Sequence, residues 1–205
     1  MYKRQVLKIL NIKFASDLSK ISVKHRSNLL NGLLELPRLY AEILSQNENI
    51  KQLCKKFIGS NSVLYLGRDV LYPIALEGAL KLKEISYLHA EGYASGELKH
   101  GPIALIDKSM PLVALNPWSK VFEKTLSNLE EVKARRGKII LLTDKKGKEL
   151  SKDLTKSIFQ LPSCSDFLTP ILYSLPLQLI AYYTALDKGT DVDQPRNLAK
   201  SVTVE

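Results

Sequence analysis

The sequence is poor in the residues that build disulfide frameworks and metal centres. Its 205 residues include two cysteines, Cys54 and Cys164, which lie far apart and form no C-x-x-C pair. This excludes a stapled secreted scaffold and a zinc ribbon, and it fits a reducing compartment, the cytoplasm. Three histidines without an H-E-x-x-H motif give a metal centre little to stand on. Neither a metal nor an organic cofactor is expected. The first residues, Met1-Tyr2-Lys3-Arg4, are not followed by the sustained apolar run and small-residue cleavage site of a signal peptide. Long uncharged runs are also scarce. Residues 167–186 reach the twenty that a bilayer crossing needs, but they contain Pro170, Pro176, Thr169, Ser174 and Gln178 between Asp166 and Asp187. They read as a buried helix of a globular core, and no membrane partner is expected.

An apolar share of 45% and a charged share of 25% leave enough apolar material for one domain with a sizeable core, plus an arm or tail. The net charge of +9 is unevenly placed: residues 1–60 carry 11 Lys/Arg against 4 Asp/Glu, and the rest carry 19 against 17. A basic arm can bind nucleic acid, but no RNP, zinc-finger or helix-turn-helix signature accompanies it. A solvated helical face accounts for the charge, so nucleic acid is not expected as a partner.

Residues 18–58 carry leucines and isoleucines at helical spacing, with Pro37 expected to kink or divide the stretch and 46–49 to form a turn. From residue 60 the pattern changes. Four short runs, 62–66, 111–115, 138–142 and 157–161, are near-continuously apolar and alternate with helical stretches near 73–90, 119–136, 146–153 and 168–187. Such alternation predicts an α/β fold, a doubly wound parallel sheet covered on both faces. The expected organisation is a helical arm over 1–58, a sheet domain over 59–187 and an irregular tail over 188–205.

Three places carry residues suited to chemistry. On the helix after the first strand, Glu77, Lys81 and Glu84 fall within a stripe of about 60° at 100° per residue. Two carboxylates flanking an ammonium can supply a proton-transfer base. Ordinary surface ion pairs use the same spacing. His100, followed by Gly101-Pro102, sits at an enforced turn, and an imidazole is a side chain suited to proton transfer on a sugar hydroxyl or ring oxygen, although turn histidines are often only structural. The tail, Asp191-Val-Asp-Gln-Pro-Arg196-Asn-Leu-Ala199-Lys200-Ser-Val-Thr-Val-Glu205, offers Arg196 for an anion and Lys200 for a carbonyl, or it is simply a polar tail.

The segments 75–87, 96–102 and above all 190–205 resemble the second sugar-isomerase (SIS) lobe of the glutamine:fructose-6-phosphate aminotransferase family, over about residues 16–205. The helix Glu77-Gly-Ala-Leu-Lys81-Leu-Lys-Glu84 and the D-Q-P-R-N-L-A-K-S-V-T-V-E ending carry that resemblance. It implies an SIS fold acting on a sugar phosphate, fructose-6-phosphate or glucosamine-6-phosphate. By the same resemblance Glu84 moves a proton between C1 and C2, and Lys81 and Glu77 assist on the same helix. His100 opens the sugar ring from the partner subunit of a dimer. Lys200 forms a Schiff base with the ketose C2, and Arg196 and Ala199 lie against the substrate.

The family's nucleophile cysteine is not at position 2, which is Tyr2, and its S-x-S-G-x-T phosphate loop does not occur in these residues. Asp69 stands where the family usually shows glycine. The expectation is therefore a lobe that works as a homodimer or with a complementing first SIS lobe. The alternative is a remnant or split-gene fragment without activity of its own, a carbohydrate-derivative-binding or assembly module.

Overall fold

A computed structural model describes residues 2–197 of the chain; the expected site residues Ala199 and Lys200 lie outside the described residues. The chain opens with three helices, α1 (Tyr2–Asp17), α2 (Val23–Leu44) and α3 (Asn47–Cys54). The N-terminus of α2 is capped by Ser22, whose hydroxyl accepts from the amide of His25 at 3.1 Å. Of the two expected effects of Pro37, kinking or dividing the stretch, division does not occur, and Pro37 lies inside an uninterrupted α2. The turn expected over 46–49 is shorter, because α3 already begins at Asn47.

Five strands follow, β1 (Ser62–Gly67), β2 (His89–Ala94), β3 (Pro111–Leu115), β4 (Lys138–Thr143) and β5 (Ile158–Gln160). They pair in the order β2-β1-β3-β4-β5, every pair parallel. Helices α4 (Tyr72–Ser86), α5 (Phe122–Ala134), α6 (Lys145–Leu150), α7 (Thr169–Leu172) and α8 (Ser174–Asp187) cover the sheet. Val63, Leu64, Tyr65 and Leu66 of β1 are all buried, as a central parallel strand between two helical layers requires. The two faces of the sheet head two separate cores. One gathers Val63, Tyr65 and Val113 with α4 and α8, and the other gathers Leu64, Leu66 and Leu112 with α5.

The expected doubly wound parallel sheet is thus present, with one more strand than the four apolar runs suggested. Strand β2 falls where a helix was expected to continue to residue 90, and α4 ends at Ser86. As an edge strand it needs only one buried side, and Ala90 is its one fully buried residue. Its glycine is required by packing: a Cβ at Gly92 would come within 2.9 Å of the Leu76 backbone on α4.

The arm packs on the lobe. Leu36 and Ile43 of α2 are fully buried in the core shared with α4 and α8, burial that contributes about 1.5–3 kcal/mol per side chain. Lys8 of α1 lies 4.1 Å from the centroid of the Phe167 ring. The uncharged run over 167–186 becomes α7 and α8, which pack into the core, and among the described residues no helix is long and apolar enough to cross a membrane.

Candidate active site

Strand β1 delivers the chain to the helix that bears the Glu77–Lys81–Glu84 stripe. The turn between them is tight: a Cβ at Gly67 would lie 2.2 Å from the carbonyl oxygen of Leu71. Asp69 in that turn has φ 53°, in the left-handed region where glycine carries no penalty, which explains why glycine suits this position. Arg68 donates to Thr125 Oγ1 at 3.2 Å and to Asn128 Oδ1 at 2.8 Å, so α5 already holds its guanidinium. The strand order reverses between β1 and β3. There Arg68 and Lys120 face a small cavity of about 150 Å³ together with Asp69 and Asp166. Two carboxylates against two cations leave this crevice without a net pull on an anion.

Along α4 the three stripe residues separate into two pairs. Lys81 Nζ is hydrogen-bonded to Glu84 Oε2. Glu77 instead faces Arg4 of α1, with Nη2 3.8 Å from Oε1. An i,i+3 pair contributes only about 0.2–0.5 kcal/mol to a helix, so the Lys81–Glu84 contact matters more for placing charge than for stability. Arg4 was not legible as a neighbour of the stripe, because it is 73 positions from Glu77 along the chain.

The tail returns to the end of this helix. Gly189, at φ 68°, turns the chain after α8, and its amide donates to Leu186 O at 3.0 Å. The Thr190 hydroxyl then donates to Ile85 O at 2.6 Å. Six residues later the Arg196 amide donates to Tyr87 Oη at 2.8 Å, and its guanidinium carbon lies 4.2 Å from the centroid of that ring. Leu80, Lys83, Glu84, Tyr87, Arg196 and Asn197 line one open cleft of about 320 Å³. Lys83 and Arg196 make it basic, since the Glu84 charge is already paired with Lys81.

The Asp191 carboxylate accepts from the amides of Gln194 and Asp193 at 2.9 and 2.8 Å. Those amides hold its carboxyl below the ordinary carboxylate value. A folded-state value lower than the unfolded one stabilises the turn fully above the unfolded value. The contribution is lost as pH falls through the lowered folded value. In an NMR titration the Gln194 and Asp193 amide shifts should therefore move with a midpoint below the ordinary carboxylate value. A midpoint at or above the usual carboxylate range would contradict this role.

His100 ends a 3-10 turn over Ser95–His100 that follows β2, and Gly101, at φ 149°, breaks the chain there. Its imidazole is exposed, with Nδ1 2.8 Å from Glu97 Oε2. The structure does not bring His100 into the Glu84 cleft. With Nδ1 engaged by Glu97, Nε2 is the ring nitrogen left to exchange a proton.

A family model described as the SIS domain matches residues 56–188, more than half of the chain. The chain belongs to the SIS-domain family. Among its relatives, the glutamine–fructose-6-phosphate aminotransferase of Bartonella quintana is 55% identical over 93% of this SIS chain, and the Bradyrhizobium diazoefficiens enzyme is 52% identical over 98%. The chain spans about a third of the length of these curated relatives, 32% and 33%. Among solved structures, the C-terminal domain of glucosamine-fructose-6-phosphate aminotransferase from Francisella tularensis superposes with a TM-score of 0.87 at 44% identity, covering 91% of this chain and 52% of that one. Glucosamine-6-phosphate deaminase from Thermotoga maritima shares the fold, with a TM-score of 0.67 at 21% identity, covering 93% of this chain and 53% of that chain.

Proposed function

We propose that this chain is the C-terminal isomerase lobe of a glutamine:fructose-6-phosphate aminotransferase, binding a sugar phosphate and interconverting ketose and aldose in amino-sugar synthesis. The observation that carries this reading is the shared cleft: the tail residue Arg196 and the helix residue Glu84 line one basic groove, although 112 positions separate them. The division proposed is an arm over 1–58, an SIS lobe over 59–187 and an active-site tail over 188–205. The proposed setting is the cytoplasm, with Cys54 and Cys164 reduced.

In this scheme the amine of Lys200 condenses with the C2 carbonyl of the ketose, forming a C=N bond and releasing water. Lys200 is three residues beyond Asn197, a span of at most about 11 Å of extended chain. Ammonia then adds at C2 and expels the Lys200 amine, freeing the lysine and leaving a ketimine. The Glu84 carboxylate takes a proton from C1 of that ketimine and the same group returns one to C2, giving the 2-amino aldose. Lys81, paired with Glu84, holds that carboxylate in place, and Glu77 assists from the same helix. Arg196 and Ala199 lie against the substrate. His100, exposed on the lobe surface, opens the sugar ring of a partner subunit through Nε2. Supplied with a first SIS lobe and fructose-6-phosphate, the chain should be trapped by borohydride as a covalent adduct on Lys200. An adduct on Lys81 or Lys83 would instead place the Schiff base on α4.

The partner requirement makes a separate prediction. Val6, Leu7, Ile9, Leu10 and Phe14 of α1 are 43–60% exposed, as are Val23 and Leu34 of α2 at 74% and 78%. So much apolar side chain on one arm marks a contact surface. Sedimentation velocity at high concentration is expected to show a dimer or larger species. A single monomeric boundary would count against the partner-subunit role of His100.

A further inference from the structure

We propose that Tyr87 is the anchor that docks the C-terminal tail on α4, a positioning residue that sets where the tail crosses the helix bearing Glu84. The inference rests on the reading of α4 and the tail as one active site. Its evidence is a residue that the local fold does not call for. Tyr87 follows the last turn of α4 at φ 58°, ψ 17°, a left-handed conformation in which a bulky side chain is strained and glycine is the usual occupant. The turn itself gains only a backbone bond, from the Tyr87 amide to Lys83 O at 3.2 Å, which any residue would supply. Nothing in closing the helix requires an aromatic ring.

Among the described residues, the side chain's hydrogen bond and its cation–π contact are both with Arg196. Its Oη accepts the Arg196 amide, and its ring face takes the Arg196 guanidinium. The acceptor and the ring therefore fix the backbone and the side chain of the same tail residue. With the Thr190 hydroxyl on Ile85 O, the tail is tied to the last turn of α4 at two points, one before and one after the Asp191 turn. Thr190 ties the start of the tail, whereas Tyr87 reaches the segment that enters the Glu84 cleft. The strain at Tyr87 is offset by placing a tail whose described residues, 188–197, form no strand or helix of their own.

Glycine and phenylalanine variants separate this role from a structural one. Tyr87→Phe keeps the ring and removes the acceptor, whereas Tyr87→Gly removes both and relieves the left-handed strain. An ordinary hydrogen bond corresponds to a factor of about 5–10 in the docked population. The Arg196 amide in the full chain should therefore exchange about 5–10-fold faster in Tyr87→Phe, and about 10–50-fold faster in Tyr87→Gly. The α4 amides should keep their protection, and the thermal midpoint of Tyr87→Gly should equal or exceed that of the parent. Unchanged Arg196 exchange in both variants would overturn the anchor. So would a lower midpoint with faster exchange along α4, which would make Tyr87 a fold residue. With a first lobe supplied, Lys200 trapping should fall in step with Arg196 protection. Trapping that persists after the protection is lost would overturn the positioning role. Absence of trapping in the parent, with Arg196 protection lost as expected in the variants, would support the docking and sink the Schiff-base assignment.

Discussion

Glu84→Gln, assayed with a complementing first lobe, is expected to lower ketose-to-aldose isomerisation by about 10²–10⁴-fold, the usual loss for a positioned general base. The substitution preserves shape and removes the ability to accept the C1 proton. Folding should hardly register it, because Lys81 and Glu84 are both partly exposed and such pairs contribute little. Schiff-base trapping should persist, since it precedes the proton transfer. The structure also names the rival. If Glu84→Gln stays active, the base is Glu77, the other carboxylate of the stripe, and Glu77→Gln should then carry the loss. Its neighbour Arg4 argues against that outcome, since Glu77 already has a cationic partner from the arm, away from the tail that reaches Glu84. The decisive comparison is the two single variants side by side, each with its thermal midpoint.

Features written into neighbouring residues were legible in the sequence, and features made by distant ones were not. The central strands announced themselves because burial on both faces leaves only apolar residues, as in Leu112-Val113-Ala114-Leu115. The stripe on α4 followed from helical period alone, including its pairing of Lys81 with Glu84. Strand β2 stayed hidden because His89-Ala-Glu-Gly-Tyr-Ala pairs on one side only and includes the glycine that lets α4 approach. Helix α1 lay within the expected helical arm, but its bounds could not be read, because its apolar residues other than Ile12 face outward and mark no periodic core face. The meeting of Arg196 with Glu84 could not be read from spacing. It depends on the turn at Gly189 and on a tyrosine in a backbone conformation that no local pattern signals. The roles of Lys200 and His100 came from resemblance, and the experiments above are what test them.

The 205-residue chain, incubated by itself with fructose-6-phosphate and glutamine, is expected to yield no glucosamine-6-phosphate, and little with ammonium in place of glutamine. Two separate deficits within these residues motivate this. Glutamine hydrolysis needs an activated nucleophile, yet burial pushes the Cys54 thiol up to about 12 and raises Cys164 as well. A thiol held protonated attacks no amide. The second deficit concerns the phosphate. Without an S-x-S-G-x-T loop, the sugar phosphate loses donors worth roughly 1.5–3 kcal/mol each, and losing two or three weakens binding by about two orders of magnitude or more. The switch-point crevice is the obvious substitute, but Arg68 is already hydrogen-bonded to Thr125 and Asn128, and Asp69 and Asp166 offset its charge. The basic cleft of Lys83 and Arg196 is better charged, yet it is the place proposed for the reacting carbons, so a phosphate held there would displace them. Turnover with ammonium alone would show that one of these two clefts does hold the phosphate. Arg68→Met and Lys83→Met would tell which, since only the true phosphate ligand should raise KM steeply. Turnover with glutamine would overturn the reading at its root, because it would require an ammonia source within residues whose two thiols, Cys54 buried and Cys164 half-buried, are both pushed up by desolvation.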